Sequence, residues 1–162
     1  MSLTNIAVVG PGEGASEEAV ADAELAGRLI AERGWVLLTG GRDAGVMAAA
    51  ARGAARAKGI AIGILPSADK ARASPDLTIA LPTGLGEARN AVLVTAADGV
   101  IACGMNPGTA SEVALALRAA KPIVLVRQSG QVDAFFADIA GSAPLHVAGS
   151  AEQAVDWIAS RV

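Results

Sequence analysis

Short runs of Val, Ile, Leu and Ala recur along the chain, separated by longer Ala-rich stretches with a helical period. The runs are "NIAVVG" (5–10), "WVLLTG" (35–40), "GIAIGIL" (59–65), "LTIAL" (77–81), "GVIACG" (99–104), "PIVLV" (122–126) and "PLHVAG" (144–149). They are apolar without alternation, which is the signature of a parallel strand buried on both faces. Between them, "SEEAVADAELAGRLIAER" (16–33) opens with Ser16 as N-cap and Glu17 and Glu18 in its first turn. It places Val20, Ala23, Ala26, Leu29 and Ile30 on one face and stops at Gly34. Further helices are predicted over 44–58, 85–97, 108–120, 132–140 and 151–160. Strand and helix in strict alternation predict an α/β fold: one Rossmann-like domain over 1–162, a doubly wound parallel sheet of about seven strands with right-handed crossovers and helices on both faces. The segment without periodicity, "PSADKARASPD" (66–76), reads equally as a flap over a site or as a plain surface loop.

Composition narrows the function. The chain is 52% hydrophobic and only 2% aromatic, without Tyr, so its core is built from small aliphatic side chains. A net charge of -3 attracts no phosphodiester backbone and the few aromatics give bases no stacking platform, so nucleic acid is not an expected partner. A lone cysteine, Cys103, forms no internal disulfide and no cysteine-based zinc site. With no basic leader before "NIAVVG" and no apolar stretch of about 20 residues, neither export nor membrane insertion is expected, and a cytoplasmic location is.

In open sheets of this kind ligands bind beyond the carboxyl ends of the strands. Four loops there carry candidate chemistry. In "GPGEGAS" (10–16), Gly10, Gly12 and Ala15 match a loose dinucleotide fingerprint, but the second strand ends in Thr39, Gly40 and Gly41 where an acidic ribose ligand belongs. A nicotinamide dehydrogenase is therefore disfavoured. The glycines either let a ligand approach the backbone or simply turn the chain. "TGGRDAGVM" (39–47) has the same ambiguity at Gly40, Gly41 and Gly45, with Arg42 and Asp43 readable as a solvated pair. In "PTGLGEARNAVLV" (82–94), Arg89 sits near a helix N-terminus, where the dipole disfavours a cation. It needs either a carboxylate such as Glu87 or an anionic ligand, with Asn90 beside it. In "CGMNPGTASEV" (103–113), Thr109 and Glu112 have capping-box spacing, so Glu112 reads as a cap; Gly104 and Gly108 meanwhile leave amides free to cradle phosphate. Cys103, His146, Trp35 and Trp157 read as structural.

Taken in order, "GGRDAGVM", Arg89 in "GEARN" and "GMNPGTASE" resemble the Rossmann-fold family once labelled "possible lysine decarboxylases", which contains the cytokinin-activating phosphoribohydrolases called Lonely Guy. The family's Pro-Gly-Gly is here Gly104, Met105 and Asn106, and the Lys that often follows its Arg is Asn90. These departures are similar to a smaller subfamily that includes molybdenum-cofactor carrier proteins. The resemblance implies cleavage of a nucleoside 5'-monophosphate to free base and ribose 5-phosphate. Glu112 would be the carboxylate facing an oxocarbenium-like sugar, and Arg89 the cation. The amides of Gly108 and Thr109 would hold phosphate, and the loop glycines would form the walls. It equally implies a nucleotide or molybdenum-cofactor binder on the same cradle. The hydrolytic reading needs no cofactor or metal, and the family suggests a homodimer formed through the helix at 85–97 or 108–120. Decarboxylation through pyridoxal phosphate is excluded on residues: Lys58, Lys70 and Lys121 all lie away from the glycine-rich loops.

Overall fold

The structure of the protein, a computed structural model, describes residues 3–162; the first two residues of the stretch read for a leader lie outside the described residues. Seven strands form one sheet: β1 (Asn5–Val9), β2 (Val36–Thr39), β3 (Ile60–Leu65), β4 (Ile79–Pro82), β5 (Gly99–Cys103), β6 (Ile123–Val126) and β7 (Leu145–Ala148). Their order is β4-β3-β2-β1-β5-β6-β7 and every neighbouring pair is parallel. Six helices connect or follow them: α1 (Glu17–Glu32), α2 (Gly45–Arg56), α3 (Arg89–Ala96), α4 (Pro107–Arg118), α5 (Gly130–Ile139) and α6 (Ala151–Ala159).

The continuous apolarity of the central strands has a direct use. Ile6 and Val8 of β1 pack with side chains of α1, α2 and α6, while Ala7 and Val9 pack on the other face with Leu93 and Val94 of α3, Val113 of α4 and Phe136 of α5. Both faces are dry, so a polar residue at alternate positions would be buried. The Ala-rich composition follows from the first layer, where Ala19, Ala23 and Ala26 of α1 meet Ala49, Ala50 and Ala54 of α2 beneath the same sheet face. Ser16 caps α1 as its sequence predicts, its Oγ accepting the Ala19 N–H at 3.1 Å.

Three predicted features differ, the run 144–149 among them, since β7 is the other edge strand and its Val147 is 45% exposed. The run 77–81 is not a strand buried on both faces: β4 spans Ile79–Pro82 at the sheet edge, and Ile79 and Leu81 are 44% and 46% exposed. An edge strand with no covering helix has the same local composition as a central one, so the run alone does not separate them. The polar segment 66–76 replaces the helix that would have covered it. It is tied down across the end of β2, where Ala73 bridges Arg42 in antiparallel fashion, Asp43 N–H donates to Arg72 O at 2.9 Å and Ser74 N–H donates to Gly41 O at 2.9 Å. In addition, the helix read from residue 85 starts at Arg89, after a single 3-10 turn (Gly86–Ala88).

The chain winds outward from β1 to β4 and then returns to place β5 against the other side of β1. The connections leaving β1 and β5 therefore depart in opposite directions, and a crevice opens at their carboxyl ends.

Candidate functional site

That crevice is a cavity of about 550 Å³ into which all four loops contribute. Gly10 and Gly12 come from the connection after β1, Gly40 and Arg42 from that after β2, Arg89 and Asn90 from the start of α3, and Gly108, Thr109, Ser111 and Glu112 from α4. Gly41, Gly45 and Gly104 are not among its walls; they have φ of +78°, +48° and +79° and shape the turns behind it. Two glycines show why the frame needs them. A side chain at Gly10 would run into the Cys103 carbonyl of β5, and one at Gly45 would run into the Gly12 carbonyl. The first lets β1 and β5 part at close quarters, and the second seats the start of α2 on the first loop.

Arg89 is buried, at 8% exposure, and no carboxylate forms an ion pair with it among the described residues. This corrects the pairing with Glu87 that a surface reading allows. Its Nη1 instead donates to Gly40 O at 2.6 Å and Ile64 O at 2.7 Å, clamping the ends of β2 and β3. A side chain at Gly40 would occupy the path of that guanidinium. Burial pulls the Arg89 pKa below its usual value, with Glu112 and then Glu87 acting against that. Its Nε is buried without a partner.

The start of α4 corrects the capping-box reading. Asn106 is the N-cap: its Oδ1 accepts the Thr109 N–H at 2.8 Å and the Thr109 hydroxyl at 3.0 Å, with Pro107 at the first helical position. The Thr109 amide is therefore already occupied and not offered to phosphate, whereas the Gly108 amide, in the first turn, has no intrahelical acceptor. Glu112 is freed from capping. It is 7% exposed and receives no hydrogen bond. Burial pushes its carboxyl up to about 7, against the pull of Arg89 and with a smaller push from Glu87. Asn90 Nδ2 donates to Ser111 Oγ at 3.0 Å, and Ser111 Oγ donates to Gly108 O at 2.7 Å.

At the mouth, Glu13 joins two loops and the 66–76 segment by accepting from Arg42 at 2.8 Å and Arg72 at 3.0 Å. Arg42 is thus paired with Glu13 rather than with Asp43. The structural residues lie away from the cavity. Cys103 is fully buried and its thiol is pushed up by burial. His146 stacks on Trp157 at 5.2 Å, and Trp35 packs against the α1 and α2 layer. Sequence reasoning passed over Asn106 and Ser111. Asn106 carried a usable signal, since Asn followed by Pro is itself an N-cap and first-turn pattern that competes with Thr109. Ser111 carried none. Among the described residues no His, Cys, Asp and Glu cluster is placed to hold a metal ion, and no helix is long and apolar enough to cross a membrane.

Over nearly its whole length the chain is similar to solved proteins. The molybdenum cofactor binding protein of Rippkaea orientalis is 45% identical, with 99% of this chain and 98% of that one covered and a TM-score of 0.96. The molybdenum cofactor carrier protein of Chlamydomonas reinhardtii is 39% identical over 98% of each chain, with a TM-score of 0.92. An uncharacterised protein of Archaeoglobus fulgidus is 41% identical over 128 residues, covering 78% of this chain and 82% of that protein. Residues 3–155 match the SLOG cluster4 family, and the chain belongs to it.

Proposed function

We propose that this chain is a carrier: it holds a phosphate-bearing small molecule, molybdenum cofactor foremost, in the cavity at the carboxyl ends of β1, β2 and β5 without transforming it. The observation that carries this reading is the likeness, at 45% identity and a TM-score of 0.96, to a molybdenum cofactor binding protein. The residues fit such a group. A cavity of about 550 Å³ suits a pterin-sized ligand. Arg89 and Asn90 stand on its wall, and each keeps one buried polar atom, Nε and Oδ1, without a protein partner. The Gly108 amide and the N-terminus of α4 would take the phosphate. When bound, the cofactor supplies the molybdenum chemistry to another protein; this chain's part is to bind, orient and shield it. The test is to mix the purified protein anaerobically with molybdenum cofactor and separate by gel filtration. Molybdenum and pterin fluorescence should co-elute with the protein in a fixed ratio, and elution of both in the small-molecule volume would reject the reading.

A second reading, phosphoribohydrolase activity of the Lonely Guy kind, rests on Glu112. A buried carboxyl held at about 7 in one cleft with Arg89 is poised to face positive charge on a sugar or to take a proton from water. Its test is release of free base and ribose 5-phosphate from a panel of nucleoside 5'-monophosphates, abolished by Glu112→Gln. The exposed outer face of α3, Ala91, Val92, Thr95 and Ala96, is where two copies would meet in a homodimer.

A further inference from the structure

The ion triad at the mouth is built unlike an ordinary surface pair. Ala73 bridges Arg42 in antiparallel fashion and the Arg72 carbonyl accepts the Asp43 N–H, so the main chain sets two arginines side by side. Like charges brought so close oppose each other, and one carboxylate answers both. Arg42 Nη2 at 2.8 Å and Arg72 Nη2 at 3.0 Å donate to the same atom, Glu13 Oε1. Neither guanidinium pairs with another carboxylate among the described residues, and neighbouring Asp43 pairs with neither. The segment 66–76 does not need this triad as an anchor. Its main chain is already held on both sides of Ala73, by the Asp43 to Arg72 and Ser74 to Gly41 hydrogen bonds, each of 2.9 Å.

The shared carboxylate is held as an anion and yet is easily moved. The backbone N–H of Glu13 itself, then Arg42 and Arg72, keep its pKa below the ordinary value. Glu13 stands between Gly12 and Gly14, the latter at φ +78° with nothing within 4 Å of where a side chain would start, and its own side chain is 67% exposed. An ion pair in such surroundings holds its partners weakly. Arg42, meanwhile, faces two spaces. It lines the main cavity and, together with Arg72 and Asp43, an adjoining hollow of about 190 Å³.

We propose that Glu13 is a built-in placeholder for an oxoanion: its carboxylate keeps Arg42 and Arg72 poised, and a phosphate-like group entering beside Arg42 takes both guanidinium groups from it. The inference rests on the reading that the main cavity binds a phosphate-bearing small molecule, because Arg42 is wall to both spaces. Glu13 engages one Nη2 of each arginine through one oxygen. A phosphate brings more charge and enough oxygens to accept from both forks at once, so it outcompetes the carboxylate. Asp43, on the same hollow, opposes any anion and so favours groups of double charge over single. The oxoanion has two sources: a second anionic group on the bound molecule, or a free anion held alongside it.

Inorganic phosphate is titrated by calorimetry into the wild-type chain, Glu13→Gln and Arg72→Gln. Both side chains are exposed, at 67% and 69%, so both variants should fold, and their urea midpoints check this. Glu13→Gln removes the competitor and should tighten phosphate binding about fivefold. Arg72→Gln removes a donor and should weaken it about tenfold. If the triad only braced the loops, either substitution would break the same contact and both would move the affinity in one direction. That result, an affinity that neither substitution changes, or phosphate that binds none of the three proteins overturns the proposal. Titrations with GMP and GDP then assign the source. An advantage of GDP over GMP that shrinks in Arg72→Gln puts the oxoanion on the bound molecule; phosphate that binds undiminished with GMP saturating makes it a free anion. Co-elution of molybdenum cofactor with the wild-type chain reports on the cavity reading separately. Cofactor retained while phosphate fails these tests overturns the placeholder alone, and cofactor lost overturns the carrier reading whatever phosphate does.

Discussion

Replacing Glu112 by Gln is expected to stabilise the protein above neutral pH and to change nothing in acid. The wild-type carboxyl is raised from 4.5 to about 7 in the folded state, burial outweighing the attraction of Arg89. The unfolded chain gives up this proton near the ordinary value, whereas the folded protein keeps it until the pH approaches 7. Between those points the folded state binds more protons, so its stability falls as the pH rises. The contribution is complete below 4.5 and lost above about 7. At about 1.4 kcal/mol per pH unit, that span corresponds to about 3 kcal/mol of stability that wild type forfeits in alkali. Gln keeps the shape of the protonated acid and does not titrate. Urea unfolding of both proteins at about pH 4 and about pH 8.5 isolates the effect, because every other titrating group cancels in the difference. The two should be equally stable in acid, and the variant about 3 kcal/mol more stable in alkali. A loss of stability in the variant that is the same at both pH values would refute the reasoning and make Glu112 a packing or capping group. A stabilising substitution at this position would also explain what keeps the carboxylate there, since only a ligand or a reaction benefits from its charge.

Four other substitutions test the frame of the site and one its assembly. Asn106→Ala removes the cap of α4 and should cost about 1 kcal/mol in urea unfolding, whereas Thr109→Val, if Thr109 were the cap, would cost as much; the smaller effect at Thr109 is the expected order. Arg89→Lys takes away the planar Nη1 group that donates to both the Gly40 and Ile64 carbonyls and should lower stability by about 2 kcal/mol despite conserving charge; an unchanged unfolding midpoint would show that the clamp is dispensable. Gly10→Ala places a methyl group against the Cys103 carbonyl and the Val46 side chain, an overpacking expected to cost about 3 kcal/mol, and a neutral result would mean that β1 and β5 can part further. Val92, 42% exposed on α3, is the position to charge: light scattering at micromolar concentration should give twice the chain mass for wild type and the single-chain mass for Val92→Glu, and a monomeric wild type would remove the homodimer.

The architecture was legible because each central strand must be apolar on both faces, and a run such as "GVIACG" has no other comfortable place. The same argument fails for "LTIAL", since a sheet's edge and its centre differ in what lies beside the strand and not in the strand itself. Which loops carry polar groups to the carboxyl ends was likewise readable from spacing, and Arg89, Asn90, Gly108 and Glu112 do line one cavity. What each does there was not. Thr109 and Glu112 obey the capping-box spacing, and only an N-cap three residues earlier, at Asn106 with Pro107 opening the helix, leaves Glu112 unbonded. Arg89 finds carbonyls 49 and 25 residues away, and the Asn90 amide is oriented by a serine 21 residues on. Local pattern and helix period are set by neighbours in the chain, so the sequence by itself determined the elements and their faces. Hydrogen-bond partners, burial and the pKa of a carboxyl are set by neighbours in space, and only the packing of α3 and α4 over β1, β2 and β5 decided those.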